Sequence, residues 1–205
     1  NKDISLRALE GEARTAMIAG IEQYLSGIST MTAGFSQRSS DASTGEGKFY
    51  LKRPGKMRWQ YAPPTPIQLV SDGKVVVYYD PSLDQVSYVG IDETLAGLLT
   101  KKDLKLTSES TALTALAEGE GIVRATVIRS AKPSEGNLTL EFSKQPLALQ
   151  RLISVDATGN VTEVRLSDVR LNMPLEDKLF VFVDPRSVNQ RRNRLTHRHL
   201  PDCTR

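Results

Sequence analysis

Few side chains among these 205 residues are arranged for bond-making chemistry. The only histidines, His197 and His199, lie near the C-terminus with the single cysteine, Cys203. Their spacing allows metal ligation, but no patterned element around them would hold ligand geometry, so no metal and no cofactor is expected. A Ser-His-Asp or Cys-His nucleophile needs a histidine inside the fold, and none is available. GxGxxG, Walker A, HExxH, GxSxG and CxxC are absent. The paired carboxylates Glu10/Glu12, Asp92/Glu93, Glu118/Glu120 and Glu176/Asp177 sit in polar or turn contexts. They read as solvated surface rather than as a general acid and base. The chain is therefore not expected to be an enzyme.

One cation is out of place. Phe49, Leu51 and Arg53 are spaced by two, which puts the arginine in line with an apolar strand face. A guanidinium there carries five donors and no acceptor, and it must be hydrogen-bonded if buried. Carbonyls at a helix C-terminus or a carboxylate would suit it. Two readings stand. Arg53 latches a helical lid, or it ends its strand before Pro54 and snorkels to water.

The stretch Gly45–Asp80 around it holds the only tryptophan and four of the six tyrosines. After Pro54-Gly55, Met57, Trp59 and Tyr61 share one face, opposite Lys56, Arg58 and Gln60. Strands are expected at 31–38, 46–53 and 56–61. Pro63, Pro64 and Pro66 then break the pattern. Residues 67–71 and 74–80 form a hairpin about Asp72-Gly73. Further strands are expected at 84–91, 122–129, 137–142, 149–156, 161–171 and 179–183. In the long strand 161–171 apolar parity changes from Val164/Leu166 to Val169/Leu171, which calls for a bulge. Apolar spacing predicts a helix over 4–26 and a short one over 92–101 with Leu95, Leu98 and Leu99 on one face. Residues 103–121 fit helix and strand equally. The fold class is mainly β (α+β): an incomplete antiparallel barrel of about eleven strands with a helical lid over its concave face.

Residues 1–185 read as one domain and 186–205 as a mobile basic tail with six arginines, two histidines and one acid. That tail concentrates the excess behind the net charge of +3, so no nucleic-acid partner is read from it. One cysteine allows no intrachain disulfide, and no apolar run approaches the ~20 residues that span a bilayer. The chain starts at Asn1, compatible with an exported protein whose signal peptide is absent from this chain. No N-terminal cysteine is present to carry a lipid anchor.

The order Lys52-Arg53-Pro54, Met57-Arg58-Trp59, Val70-Ser71-Asp72-Gly73-Lys74, Tyr79-Asp80-Pro81 and Gln85-Val86 resembles LolA, the periplasmic outer-membrane lipoprotein carrier of Gram-negative bacteria. Similarity is densest over 45–101 and continues weakly to Arg186. Met57, where an aromatic is common, and the basic tail depart from the family pattern. The resemblance implies an incomplete barrel with a helical lid, and a monomer. It also implies a role: receiving acylated lipoproteins from an inner-membrane ABC exporter and passing them to an outer-membrane lipoprotein receptor. By position Arg53 matches the arginine tying lid to barrel, and Met57 and Trp59 match the lipid-facing wall. Phe49, Leu51, Tyr61, Leu95, Leu98 and Leu99 complete the expected cavity and lid. A lipid-sensing or protein-interaction domain of the same fold, or a receptor-like protein of the outer membrane, is the alternative.

Overall fold

The computed structural model describes residues 5–64, 67–91 and 95–186. The strands are β1 (Arg7–Ala8), β2 (Thr30–Ser39), β3 (Thr44–Lys52), β4 (Lys56–Tyr61), β5 (Gln68–Asp72), β6 (Val75–Asp80), β7 (Gln85–Gly90), β8 (Thr111–Gly119), β9 (Ile122–Arg129), β10 (Gly136–Lys144), β11 (Leu147–Asp156) and β12 (Val161–Leu171). The helices are α1 (Gly11–Ser26) and the single turn α2 (Leu95–Leu98).

All twelve strands form one antiparallel sheet in the order β1-β8-β9-β10-β11-β12-β2-β3-β4-β5-β6-β7. The sheet does not close, and β1 and β7 are its two ends. Short hairpins impose this topology, since each strand but two neighbours its sequence successor. The exceptions are the join that carries α1 over one face and the join between β7 and β8, which includes residues 95–110.

Period-two alternation gives that face its core. Cross-strand partners share a face, so Leu51↔Met57, Phe49↔Trp59, Ala33↔Phe49 and Met31↔Leu51 mark a continuous apolar surface. Leu140↔Leu152 and Leu140↔Ala125 extend it across the other half. α1 lies on this inner face. Its Ile21 and Leu25 are buried, and the Tyr24 ring meets Phe142 edge-on at 5.8 Å. The Tyr24 hydroxyl accepts the Leu149 N–H at 3.1 Å.

The outer face is covered differently on its two halves. On β9–β12, Arg124, Glu141, Arg151 and Glu163 form an ion-pair ladder, with the Arg124 Nε to Glu141 distance 2.7 Å and Arg151 bridging both carboxylates. Burial pushes the Glu141 carboxyl up, but bonds from Arg151, Arg124 and Gln150 outweigh it and hold the group below its usual range. On β4 and β5 the chain after β12 crosses as a strap, with a 3-10 turn at Asp177–Phe180. Lys52 donates to the Leu175 carbonyl at 2.8 Å, Arg58 to the Leu179 carbonyl at 3.2 Å, and Phe180 is 1% exposed.

This strap corrects the expectation of a last strand at 179–183. The alternation in Leu179-Phe180-Val181-Phe182-Val183 is real, but it buries Phe180 and stacks Phe182 beside Tyr79 while Val181 and Val183 stay exposed. Side-chain docking, not a hydrogen-bonded ladder, uses that alternation. Two other boundaries move. Residues 7–8 pair with β8 instead of joining the helix, since Arg7 bridges Glu118 at 2.8 Å and Gly11 sits at φ +56°. The ambiguous 103–121 stretch supplies β8, whose register shifts between Leu113 and Ala115. That shift hid the strand, because it breaks the alternation. The change of parity in β12 corresponds to a register shift between Ser167 and Arg170, with Asp168 at φ +49°.

Asp177 ties the strap to the β3–β4 hairpin through Lys52 at 2.8 Å and Lys56 at 3.0 Å. These hydrogen bonds and charges pull its carboxyl down to about 2. A depressed folded-state value stabilises above the unfolded value of ~3.9 and is lost as pH falls through the folded one. Acid titration of Tm should therefore show wild type and Asp177→Asn differing by a constant small amount above about pH 4 and converging towards pH 2. A gap that persists at pH 2 would show that Asp177 acts other than through its charge.

Candidate functional site

The site is built where β3, β4, α1 and residues 95–106 meet. Alternation on β3 and β4 places Phe49, Leu51, Met57 and Trp59 inward, each between 1% and 8% exposed. Phe49 and Trp59 rings lie 4.2 Å apart. Phe35 on β2 meets Trp59 at 5.1 Å and Tyr61 at 4.9 Å, both edge-on. The Tyr61 hydroxyl donates to Gln37 Oε1 at 2.5 Å, and burial is the main reason its pKa is pushed up to about 12.

Over this wall lie Ile91 and residues 95–106. Ile91, Leu98, Leu99, Leu104 and Leu106 are all at or below 9% exposure. Gly97 permits the fold-back, because a Cβ there would sit 2.1 Å from the Ile91 carbonyl oxygen. Glu22 on α1 binds the segment from the other side, accepting from the Leu106 N–H at 2.9 Å and from Lys105 Nζ at 3.0 Å. Leu95 begins α2, and its side chain lies outside the described residues, as do residues 92–94 of the expected helix. The described helix is the single turn 95–98, shorter than the expected 92–101.

Arg53 stands where these parts join. Its Nε donates to the Leu99 carbonyl at 3.0 Å, and its Nη1 donates to the carbonyls of Ile28, at 3.0 Å, and Leu25. Its own N–H donates to the Ser29 carbonyl at 2.9 Å. Leu25 belongs to the last turn of α1, whose carbonyls lack intrahelical donors and carry the negative end of the helix dipole. Burial lowers the Arg53 pKa. Among the described residues it makes no ion pair, so three carbonyls share its charge. A neighbouring backbone bond, Gly55 N–H to the Thr100 carbonyl at 2.9 Å, adds a second tie to the same segment. Gly55 at φ +76° packs on Gly73, where a Cβ would approach within 2.6 Å.

Towards the strand ends at Arg129, Gly136, Asp156 and Thr162, away from Arg53, a pocket of about 340 Å³ reaches inward to Trp59 and Leu99. Leu138, Leu152 and Val164 line it, with Arg129, Lys132 and Glu135 towards the outside. A second depression of about 710 Å³ at the same end is lined by Ser36, Gln37, Thr44, Glu46, Tyr61 and Tyr78 among others. Ala62, Pro63, Pro64 and Ile67 also line it, so its wall mixes polar and apolar groups, whereas the first pocket has an apolar floor.

The structure thus brings Arg53, Phe49, Leu51, Met57, Trp59, Leu98 and Leu99 together, with Tyr61 at the far end of the aromatic wall. Sequence reasoning put Phe35 in the strand 31–38 but left it out of the cavity, although its parity with Met31 and Ala33 on that strand marks the same buried face. It also missed Leu104 and Leu106, both fully buried under α1. Their two-residue spacing was a signal without a strand to attach it to. The histidines and Cys203 lie outside the described residues. Among the described residues no helix is long and apolar enough to cross a membrane.

The sequence model of the family "Outer membrane lipoprotein carrier protein LolA" matches residues 26–183. The outer-membrane lipoprotein carrier protein of Legionella pneumophila (strain Paris) is 33% identical over 177 residues, covering 82% of this chain and 86% of that protein. That of Pseudomonas paraeruginosa is 32% identical over 183 residues, covering 85% and 87%. In fold, a DUF1329 family protein from Desulfovibrio piger superposes with a TM-score of 0.50 at 12% identity, over 80% of this chain and 95% of that one. The match spans both halves of the sheet and the strand pair carrying Arg53 and Trp59, and on that ground the chain belongs to the outer-membrane lipoprotein carrier family.

Proposed function

We propose that the chain is a periplasmic carrier that takes the acyl chains of lipoproteins between its aromatic wall and a lid formed by residues 95–106. It would receive them from an inner-membrane ABC exporter and surrender them to an outer-membrane lipoprotein receptor. The observation that carries the reading is Arg53, whose guanidinium joins the lid to the end of α1 over an apolar interior.

The physics of a carrier explains such a design. Each acyl CH₂ removed from water contributes about 0.8 kcal/mol, so water is a barrier that the protein must remove. A rigid, optimal site would hold the load too well. Here the leucines of the lid already occupy the interior. The pocket of about 340 Å³ lies at the low end of the ~300–1,000 Å³ typical of small-ligand sites. Three acyl chains do not fit it, so loading displaces the lid and breaks its ties to Arg53 and Gly55. The loaded form then lacks those bonds, and closing regains them as the lipid leaves. With no nucleotide-binding motif in the chain, the energy for opening comes from the donor.

Solvent extraction of the purified protein, followed by uptake of a purified triacylated lipoprotein from detergent, tests the reading. One carrier should take one lipoprotein into a soluble complex, and Trp59 emission should shift on loading. A protein that leaves the lipoprotein aggregated fails as a carrier. A soluble complex with unchanged emission would move the acyl site away from Trp59.

A further inference from the structure

Resting on that reading, we infer that Asn172 is a positioning residue for Arg53, holding from outside the same connection that Arg53 grips from inside. The carbonyls that Arg53 uses bracket the link between α1 and β2, namely Leu25 and Ile28, with Ser29 on its backbone N–H. The Gly27 and Ile28 N–H groups bond back to the Gln23 and Leu25 carbonyls at 3.0 and 3.2 Å, so Leu25 is set by the helix end, but the side of residues 27–30 that faces away from Arg53 has no tie within the link itself.

Asn172 supplies the missing constraint. It follows β12 directly, and its side-chain Oδ1 accepts from both the N–H of Ser29, at 2.8 Å, and its hydroxyl, at 2.9 Å. Its Nδ2 donates to the Gly27 carbonyl at 3.1 Å, and its own N–H donates to the Thr30 carbonyl at 2.8 Å. Residues 27, 29 and 30 are thereby fixed on the outer side, with the Ile28 carbonyl left to Arg53. An amide is the side chain for this task, because it accepts and donates from one rigid plane. Asn172 also sits at φ +59°, a left-handed conformation that asparagine tolerates better than most residues. The side chain is exposed, so its role is not filling a core.

Asn172→Gly removes the amide and keeps the backbone conformation accessible. Hydrogen exchange of the unloaded protein tests the coupling without any lipid. Exchange over residues 97–106 should accelerate several-fold in Asn172→Gly, as it does in Arg53→Leu, and the double variant should be no faster than Arg53→Leu alone. Acceleration confined to residues 27–30 and 172–174, or effects that multiply in the double variant, would reduce Asn172 to a local structural residue and overturn the inference. A second readout follows release of a fluorescent triacylated lipopeptide to vesicles of phosphatidylethanolamine and phosphatidylglycerol. Asn172→Gly should slow release in the same direction as Arg53→Leu. Unchanged release beside slowed release in Arg53→Leu would also overturn it. A wild-type protein that never binds the lipopeptide defeats the carrier reading, while the exchange result still decides the role of Asn172.

Discussion

Arg53→Leu should load lipoprotein as readily as wild type, or more so, and lose most of its hand-off to an acceptor. The substitution leaves a shorter, apolar side chain on the Phe49/Leu51 face and removes three charge-assisted hydrogen bonds. Hydrogen bonds to charged groups are worth about 1.5–3 kcal/mol each when buried. Arg53 is only partly buried and its bonds are not additive, so a joint value of about 2 kcal/mol is apt. That shifts the closed–open balance towards open by roughly 30-fold. The Gly55–Thr100 bond and the leucines of the lid remain, so the protein should still fold. Lipid already bound then leaves a state from which closing regains less, and transfer slows. Arg53→Lys should fall between the two, since an ammonium cannot fork across carbonyls on separate segments. Retention and transfer equal to wild type, measured with the same donor and acceptor, would take Arg53 out of the mechanism.

Arg53 could be singled out in the sequence because a cation broke an alternating apolar stripe. Periodicity could not say what it met. Its acceptors are backbone carbonyls on segments 25 to 46 residues away, and carbonyls carry no sequence signature. The wall was legible for the same reason as the strands: Phe49, Leu51, Met57 and Trp59 obey a period of two, and DG and PG mark the turns between them. The segment proposed as a lid was legible only in part. Leu98 and Leu99 sit in a helical pattern, but the segment is held mainly by Leu104 and Leu106, which lie in no regular element. β8 was obscured by its register shift. Asn172 lay beyond reach altogether, because an exposed asparagine after a strand looks like any turn residue until its partners at 27–30 are known.

Phe180→Ala should cost about 3–5 kcal/mol of stability, a fall in Tm on the order of 10 °C, and leave lipid binding intact. Phe180 is 1% exposed, so truncation leaves a cavity that the strap can close only by shifting. Beneath it part of the outer face of the sheet is buried as well. Val70 pairs with Arg58 and Val77, so it points away from Trp59, yet it too is 1% exposed. The 3-10 turn Asp177–Phe180 packs on β4 and β5, and it is what keeps water from that surface. A terminal strand lining the cavity would behave otherwise, because its loss would enlarge the acyl site and change the Trp59 response to lipid. A strap on the far face lowers stability and leaves that response alone, since a sheet separates Phe180 from the pocket. The bonds of Asn172 to Gly27 and Ser29 lie eight residues upstream and survive the truncation, so lid protection should fall only as global stability falls. Calorimetry and Trp59 titration on one preparation distinguish the two placements. A stable protein with an altered lipid response would put residues 179–183 back inside the barrel.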